Sequence, residues 1–161
     1  MIDKNLNYGR HLIKGFTLKT PDNAKILDIG AGLGSDLFIV KKNNQAVHLF
    51  GVECYPKYQE ALRSQGISVV GINIEKDRLP FDDESIDLVI CNQVFEHLKE
   101  IWWTMNEITR ALKIDGQLII EVFNSASLHN RALLLFGNQP TCIQNDSAHL
   151  RGYTRSDLKT S

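Results

Sequence analysis

The chain has 161 residues, of which 43% are hydrophobic and 23% charged, and its formal net charge is -1. This length and composition are typical of one globular domain, large enough to bury roughly two-thirds of the surface of its unfolded chain. The balanced charge argues against a general nucleic-acid binder or a protein that binds anionic lipid, because both need a basic surface.

The cysteine content and the hydropathy pattern predict a cytoplasmic protein. The three cysteines, Cys54, Cys91 and Cys142, are odd in number and lack the spacing of metal ligands, so we expect reduced thiols and no metal site. No apolar run approaches the ~20 residues of a membrane span, and the N-terminus lacks the apolar core of a signal peptide.

Strands and helices are predicted to alternate along the chain. Residues 1–20 predict a short amphipathic helix with Leu6, Leu12, Ile13 and Phe16 as its apolar positions. The predicted strands are then 24–29, 46–53, 67–72, 86–91 and 117–123, and the predicted helices between them are 35–42, 56–65 and 101–112. This order predicts an α/β fold in a single domain, with a doubly wound, mainly parallel sheet and helices on both faces.

A glycine loop, Gly30, Gly32 and Gly34, connects the first strand to the following helix in the sequence KILDIGAGLGSDLF. Ligands bind beyond the carboxyl ends of such strands, and these glycines would allow a tight turn and a close approach to the main chain. A phosphate-binding loop is excluded, because Ser35 and Asp36 stand where a lysine and a hydroxyl residue are needed. A dinucleotide fingerprint is a weaker alternative, because Ser35 replaces its third glycine.

Glu53 ends the second predicted strand, roughly twenty residues beyond the loop, where an acid can accept hydrogen bonds from two ribose hydroxyls. A solvated glutamate at a strand end is the alternative interpretation. Together, the loop and this acid predict an adenosine-containing ligand whose other end need not carry phosphate.

Four segments resemble the successive motifs of class I S-adenosylmethionine-dependent methyltransferases: ILDIGAGLGS, GVEC, INIEKDRLPFDDESIDLVICNQVFEHL and EITRALKIDGQLIIEV. The similarity is to the small-molecule, type 11-like group and covers about residues 20–125. It implies a Rossmann-like methyltransferase fold, S-adenosylmethionine as cofactor, and methyl transfer by in-line displacement. Residues 124–140 and 149–158 also resemble bacterial members linked to glycan or lipid pathways, so the acceptor is expected to be a small molecule or a glycan- or lipid-linked group.

For the methionine part of the cofactor, the resemblance assigns residues at two strand ends. Asp28 would lie near the amino group and Asn92 near the methyl group, although a turn asparagine at a strand end is an equal alternative for Asn92. The loop residues that would pack against the methionine are Gly30, Ala31, Gly32 and Gly34.

For the adenosine part, the resemblance places Glu53 on the ribose, Cys54 beside the adenine, and Asn73 and Ile74 at the adenine edge. The family more often has aspartate at the position of Asn73. The carbonyl of an asparagine can still accept a hydrogen bond from the adenine amino group, so binding should persist.

A general base would assist transfer to an oxygen or nitrogen atom, and histidine suits this role near neutral pH. His97 is the candidate, with His129 and His149 in the expected substrate segment. A surface or packing role is the alternative for each of them. Two other functions stay open: a nicotinamide-dependent oxidoreductase, and a methyltransferase-like module that binds cofactor without transferring methyl.

The family's sheet continues beyond the fifth strand with an antiparallel hairpin, but fewer than forty residues follow Phe123 and none predicts such a pair. We therefore expect an N-terminal fragment of a longer protein, with 124–161 as a substrate-side segment. The final sequence GYTRSDLKTS predicts a helix start, with Thr154 or Ser156 as cap and Asp157 in the first turn.

The fifth predicted strand is apolar, and a free edge of this kind invites pairing with another chain. We expect either that residues 125–145 cover this edge or that two copies of the chain meet there as a homodimer.

Overall fold

The computed structural model describes residues 9–143 and 148–158, except for the side chain of Cys142. The predictions for Leu6 and for the Cys142 thiol therefore lie outside the described residues. The helices are α1 (Arg10–Phe16), α2 (Ser35–Asn43), α3 (Pro56–Ser64), α4 (Ile101–Ala111) and α5 (Leu128–Leu135), and the strands are β1 (Lys25–Ile29), β2 (His48–Val52), β3 (Ser68–Val70), β4 (Ile86–Asn92) and β5 (Leu112–Glu121). Phe95–His97 and Thr141–Ile143 form short 3-10 turns.

The five strands form one parallel sheet in the order β3-β2-β1-β4-β5, which confirms the predicted fold class. The central strand is β1, in which Ile26, Leu27 and Ile29 are completely buried, as expected for a parallel strand covered on both faces. The strand order reverses between β1 and β4, which is where ligands bind in sheets of this type.

Helices cover both faces of the sheet because the side chains of β1 alternate between them. Leu27 packs in one apolar cluster with Ile108 of α4. Ile26 packs in a second cluster, on the other face, with Leu37 of α2 and Leu62 of α3. The two clusters hold the carboxyl ends of β1, β2 and β4 in fixed positions, and these ends carry the predicted site.

The N-terminal helix α1 buries Ile13, while Leu12 and Phe16 are 53% and 56% exposed. The helix is therefore less amphipathic than predicted, and it attaches to the second cluster through one side chain. Among the described residues, no helix has the length and apolarity that crossing a membrane would need.

The prediction for the boundary between α4 and β5 was wrong. The helix ends at Ala111, and the strand begins at Leu112 rather than at 117 and ends at Glu121 rather than at 123. Leu112 pairs with Ile86, but Gln117 already pairs with Leu88, so the segment between them forms an irregularity opposite a single residue of β4. Leu112, which continues the apolar face of α4 in the sequence, therefore belongs to β5.

The segment after β5 returns to the carboxyl end of the sheet. Asn124 and Tyr153 form an isolated parallel bridge, and the Ser125 N–H donates to the Tyr153 carbonyl over 2.7 Å. In place of the predicted helix start, residues 155–158 form a single turn in which Asp157 accepts the Thr154 N–H over 2.6 Å. Residues 159–161 lie outside the described part.

Within residues 9–143 and 148–158, no further strand pairs with the outer edge of β5. The contact between two copies at this edge stays a prediction.

Candidate functional site

A cavity of about 690 Å³ opens where the carboxyl ends of β1, β2, β3 and β4 meet. Six of the residues assigned to the cofactor line it: Gly30, Gly32, Glu53, Cys54, Asn73 and Ile74. These residues come from separate parts of the sequence. They lie together because the carboxyl ends of neighbouring parallel strands meet at the same edge of the sheet.

The glycine loop is tied to the end of β2, because the Gly30 and Ala31 N–H groups donate to the Val52 carbonyl over 2.9 and 3.1 Å. Gly32 has a φ of +52°, and a Cβ there would meet no atom closer than 4.0 Å. A Cβ at Gly30 would instead lie 2.8 Å from a methyl group of Val94. Gly32 is therefore the loop residue whose missing side chain leaves room for a ligand, and Gly30 is needed for packing as well.

Gly34 and Ala31 do not line the cavity. Gly34 caps α2 with a φ of +80°, and a Cβ there would lie 2.8 Å from Leu62 of α3.

The Gly34→Ala substitution should therefore destabilise the fold by about 2–4 kcal/mol, from overpacking and from the left-handed backbone together. Urea unfolding measures this loss. The control is Gly137→Ala, at a φ of +75° in open space, and an equal loss in both variants would show that packing against Leu62 is not the cause.

Glu53 is 5% exposed at the end of β2. Its Oε2 accepts the Gly32 N–H and its Oε1 accepts the Tyr55 N–H, each over 2.9 Å. The carboxylate is thus fixed between the glycine loop and the start of α3. Each oxygen retains acceptor capacity, because a carboxylate offers about four lone-pair sites.

The residues assigned to the adenine lie on the neighbouring wall. Asn73 Oδ1 already accepts the Glu75 N–H over 2.9 Å, so one lone pair of this oxygen remains for an adenine amino group. Cys54 is exposed, and partial burial together with the neighbouring Glu53 raises the pKa of its thiol. A neutral thiol at this position suits contact with an uncharged ring.

Asp28 is buried in β1 and does not line the cavity. Burial, and then the charge of Asp36, raise the pKa of Asp28 well above its ordinary value, while Arg10 lowers it. Its Oδ2 has no hydrogen-bond partner among the described residues. A cationic group beside Asp28 would satisfy this carboxylate in its ionised form.

Asp28 should make the stability of the ligand-free protein depend on pH. Because its pKa in the folded state is raised above the ordinary value of about 3.9, the folded protein retains a proton that the unfolded chain releases. The contribution of Asp28 to the unfolding free energy therefore falls as the pH rises from the ordinary towards the raised pKa. Asp28→Asn should flatten this dependence in urea unfolding at several pH values. An equally steep dependence in the variant would assign it to another group.

Asn92 lies in a second cavity of about 370 Å³, which also contacts Arg10, Gln93, His97, Phe123 and His149. Its Nδ2 donates to Asp36 over 3.0 Å, and Asp36 forms a salt bridge of 2.8 Å with Arg10. The assigned cofactor residue Asn92 is thus not part of the first cavity. Gln93 and His97 line both cavities, which therefore adjoin.

Of the three candidate histidines, the structure brings two together. The rings of His97 and His149 are 4.7 Å apart between centroids, whereas His129 is exposed on α5 and lines neither of these cavities. Buried Glu96 lies beside the pair, and its burial raises the pKa of its carboxyl group. Glu96 was not predicted as a site residue, because its partner His149 is distant in the sequence.

Among the residues that line the first cavity and were not predicted from the sequence are Tyr55, Tyr58, Ile72 and Gln93. Tyr55 and Ile72 lie three and two residues beyond the ends of β2 and β3, and this position shortly after a strand was a usable signal. Gln93 has a φ of +58°, which the sequence does not indicate.

The chain matches the methyltransferase domain family over residues 27–120. It is 26% identical over 123 residues to malonyl-[acyl-carrier protein] O-methyltransferase of Methylococcus capsulatus, covering 74% of this chain and 45% of that protein. The chain thus spans about half the length of the curated relatives it matches.

Two solved structures share the fold. The Bacillus subtilis YcgJ protein superimposes with a TM-score of 0.67 at 23% identity, over 91% of this chain and 64% of that one. The plantazolicin methyltransferase BpumL, solved in complex with a pentazolic desmethylPZN analog and SAH, has a TM-score of 0.67 at 17% identity, over 81% and 52% of the two chains. The chain belongs to the methyltransferase domain family and has the fold of class I methyltransferases, whose cofactor is S-adenosylmethionine.

Proposed function

We propose that this protein binds S-adenosylmethionine in the 690 Å³ cavity and transfers its methyl group to a small molecule or to a glycan- or lipid-linked acceptor. The observation that carries the proposal is the Glu53 carboxylate, buried at the end of β2 and bonded to the N–H of Gly32, where the loop leaves open space. An acid held in this way can accept the two hydroxyls of a ribose.

The residues present fit the cofactor. Gly32 provides space at the main chain, Glu53 provides acceptor oxygens, and Asp28 Oδ2 is a buried acceptor with no partner in the described part. Val52 and Ile72 supply an apolar surface for the adenine. When bound, S-adenosylmethionine supplies a methyl group activated by a positively charged sulfur.

The charges around the loop favour a cationic ligand over a dinucleotide. Asp36 lies buried in the first turn of α2, and Asp28 lies at the adjoining end of β1. The Asp36 carboxylate occupies the positive end of the helix that a pyrophosphate would need. Arg10 balances Asp36, which leaves Asp28 and Glu53 as acids for the ammonium and the ribose.

The chain's own contribution to transfer is positional. Holding a nucleophile about 3–3.5 Å from the methyl carbon can remove roughly 7–11 kcal/mol of the barrier. The second cavity adjoins the first through Gln93 and His97, so we place the acceptor there. Its aromatic Phe123 and its polar Arg10 and Asn92 suit a polar small molecule or a sugar-bearing group.

The experiment offers a metabolite pool together with S-adenosylmethionine labelled in its methyl group, and products are resolved by mass. We expect one or a few labelled products that disappear in Glu53→Ala. Binding of the cofactor with no labelled product from any pool would instead support the module that binds cofactor without transferring methyl.

A further inference from the structure

Three potential metal ligands meet at the border of the two cavities. A carboxylate oxygen of Glu96 and one nitrogen each of His97 and His149 all lie within 4.8 Å of one another. Glu96 and His97 belong to the 3-10 turn after β4, and His149 comes from the segment that returns to the sheet. The cysteines, whose spacing argued against a metal site, take no part in this cluster.

The Glu96 carboxylate needs a positive partner. Its side chain is 1% exposed, and neither carboxylate oxygen has a hydrogen-bond partner within the described residues. Burying an ionised carboxylate without such a partner is costly, and buried charges in proteins are paired or coordinate metal ions. An apolar residue would fill the same space without this cost.

His97 is oriented in the way that metal-binding histidines usually are. Its Nδ1 lies 3.1 Å from the Ala148 carbonyl oxygen. Since a carbonyl oxygen only accepts, Nδ1 donates in this contact, which leaves Nε2 as the nitrogen that the neutral ring offers to a metal ion. Metal-binding histidines typically donate their other ring N–H to a carbonyl or carboxylate, which fixes the tautomer and the ring orientation.

The two segments that supply the ligands are fastened to each other. The Leu150 N–H donates to the Glu96 carbonyl over 2.7 Å, and the Arg151 guanidinium donates to the Leu98 and Lys99 carbonyls over 3.2 and 2.9 Å. These bonds hold His149 beside the turn before any ligand binds. Much of the ordering that a metal site requires is therefore already present in the fold.

We propose that Glu96, His97 and His149 bind a divalent first-row metal ion such as Zn²⁺, Mn²⁺ or Fe²⁺. Two imidazoles and one carboxylate are a ligand set that these ions accept. Bonds of about 2.0–2.2 Å require ligand atoms roughly 3–3.5 Å apart, so ligand atoms at the upper limit of 4.8 Å would have to approach each other by roughly 1.3–1.8 Å. His97 is exposed and His149 partly exposed, and rotation of these side chains would have to provide the movement.

Three protein ligands leave open positions on such an ion. His97 and His149 both line the second cavity, so the open positions face the side where we place the acceptor. This role rests on the proposed function. At that position the ion would coordinate an atom of the methyl acceptor that offers it a lone pair. The lone pair of His97 Nε2 then serves the metal ion, and this assignment replaces the role of general base for His97.

The test uses the untagged chain, treated with a chelator and titrated with Co²⁺ by calorimetry and by visible absorption. We expect one Co²⁺ per chain, with affinity reduced by more than about 100-fold in Glu96→Gln and in His149→Ala, beyond the usual cost of losing a supporting contact. Two control variants should bind as the wild type does: His48→Ala, which removes an exposed histidine of β2, and Cys54→Ser, which removes the exposed thiol.

Binding of S-adenosylhomocysteine is measured in parallel and should be retained in Glu96→Gln and His149→Ala. Its retention shows that these variants are folded, and it keeps the metal site and the cofactor site separately testable. Absence of stoichiometric Co²⁺ binding by the wild type, or wild-type Co²⁺ affinity in both cluster variants, would overturn the proposal.

Discussion

Replacing Glu53 with alanine should weaken the binding of S-adenosylhomocysteine by at least about tenfold. The carboxylate would accept both ribose hydroxyls, and a hydrogen bond to a charged group contributes ~1.5–3 kcal/mol. The substitution also removes the acceptor of the Gly32 N–H, so the loop loses a support that orders it before binding. Calorimetric titration of the folded variant measures the affinity.

Glu75 provides a matched control for this prediction. It lines the same cavity and carries the same charge, but it follows β3 rather than β2 and accepts the Lys99 N–H over 3.2 Å. Glu75→Ala should therefore change the affinity far less than Glu53→Ala. Unchanged affinity in Glu53→Ala would show that the ribose does not bind at Glu53. Equal losses of affinity in both variants would show that Glu53 contributes only its negative charge and no specific hydrogen bonds.

A second large effect is expected for Gly32→Val, which should abolish cofactor binding. The new side chain would project into space that is open at present and that lies against the acceptor oxygens of Glu53. Because Gly32 has a φ of +52°, a β-branched residue there also strains the backbone. Loss of binding therefore has to be separated from loss of stability.

Gly66→Val makes this separation possible. Gly66 follows α3 with a φ of +77°, and a Cβ there meets nothing within 4 Å, so the backbone strain is comparable and the cavity is untouched. Both variants should lose similar stability in urea unfolding, while Gly66→Val alone still binds S-adenosylhomocysteine. Retained binding in Gly32→Val would mean that the loop does not approach the ligand.

The parts of the site that the sequence predicted are those formed by residues close together in the chain. Gly30 to Gly34 follow β1 directly, and Glu53 follows β2 directly, so hydrophobic runs and glycine spacing located them. The start of β5 was missed because Leu112 continues the helical spacing of α4 and pairs with Ile86 across an irregularity. Local periodicity carries no information about such a pairing.

Contacts between distant segments were not predictable for the same reason. Asn92 is the last residue of β4 rather than the residue after it, and its side chain donates to Asp36 of α2, a contact that the sequence motifs do not reveal. Glu96 meets His149 only because the chain returns across the sheet after α5, at the bridge between Asn124 and Tyr153. Asn92 with Asp36, and Glu96 with His149, are thus brought into contact by the tertiary structure and not by their spacing in the sequence.

The most direct test of the central claim, that the cavity binds S-adenosylmethionine, is thermal unfolding of the wild-type chain with S-adenosylhomocysteine or with NAD. At ~100 times its dissociation constant, S-adenosylhomocysteine should stabilise the fold by about 2.7 kcal/mol. For a chain of this size this corresponds to a rise in Tm of roughly 5–11 °C. NAD at the same concentration should leave the Tm unchanged, because the Asp36 side chain occupies the N-terminus of α2 that its pyrophosphate would need. A rise in Tm with NAD and none with S-adenosylhomocysteine would contradict the account.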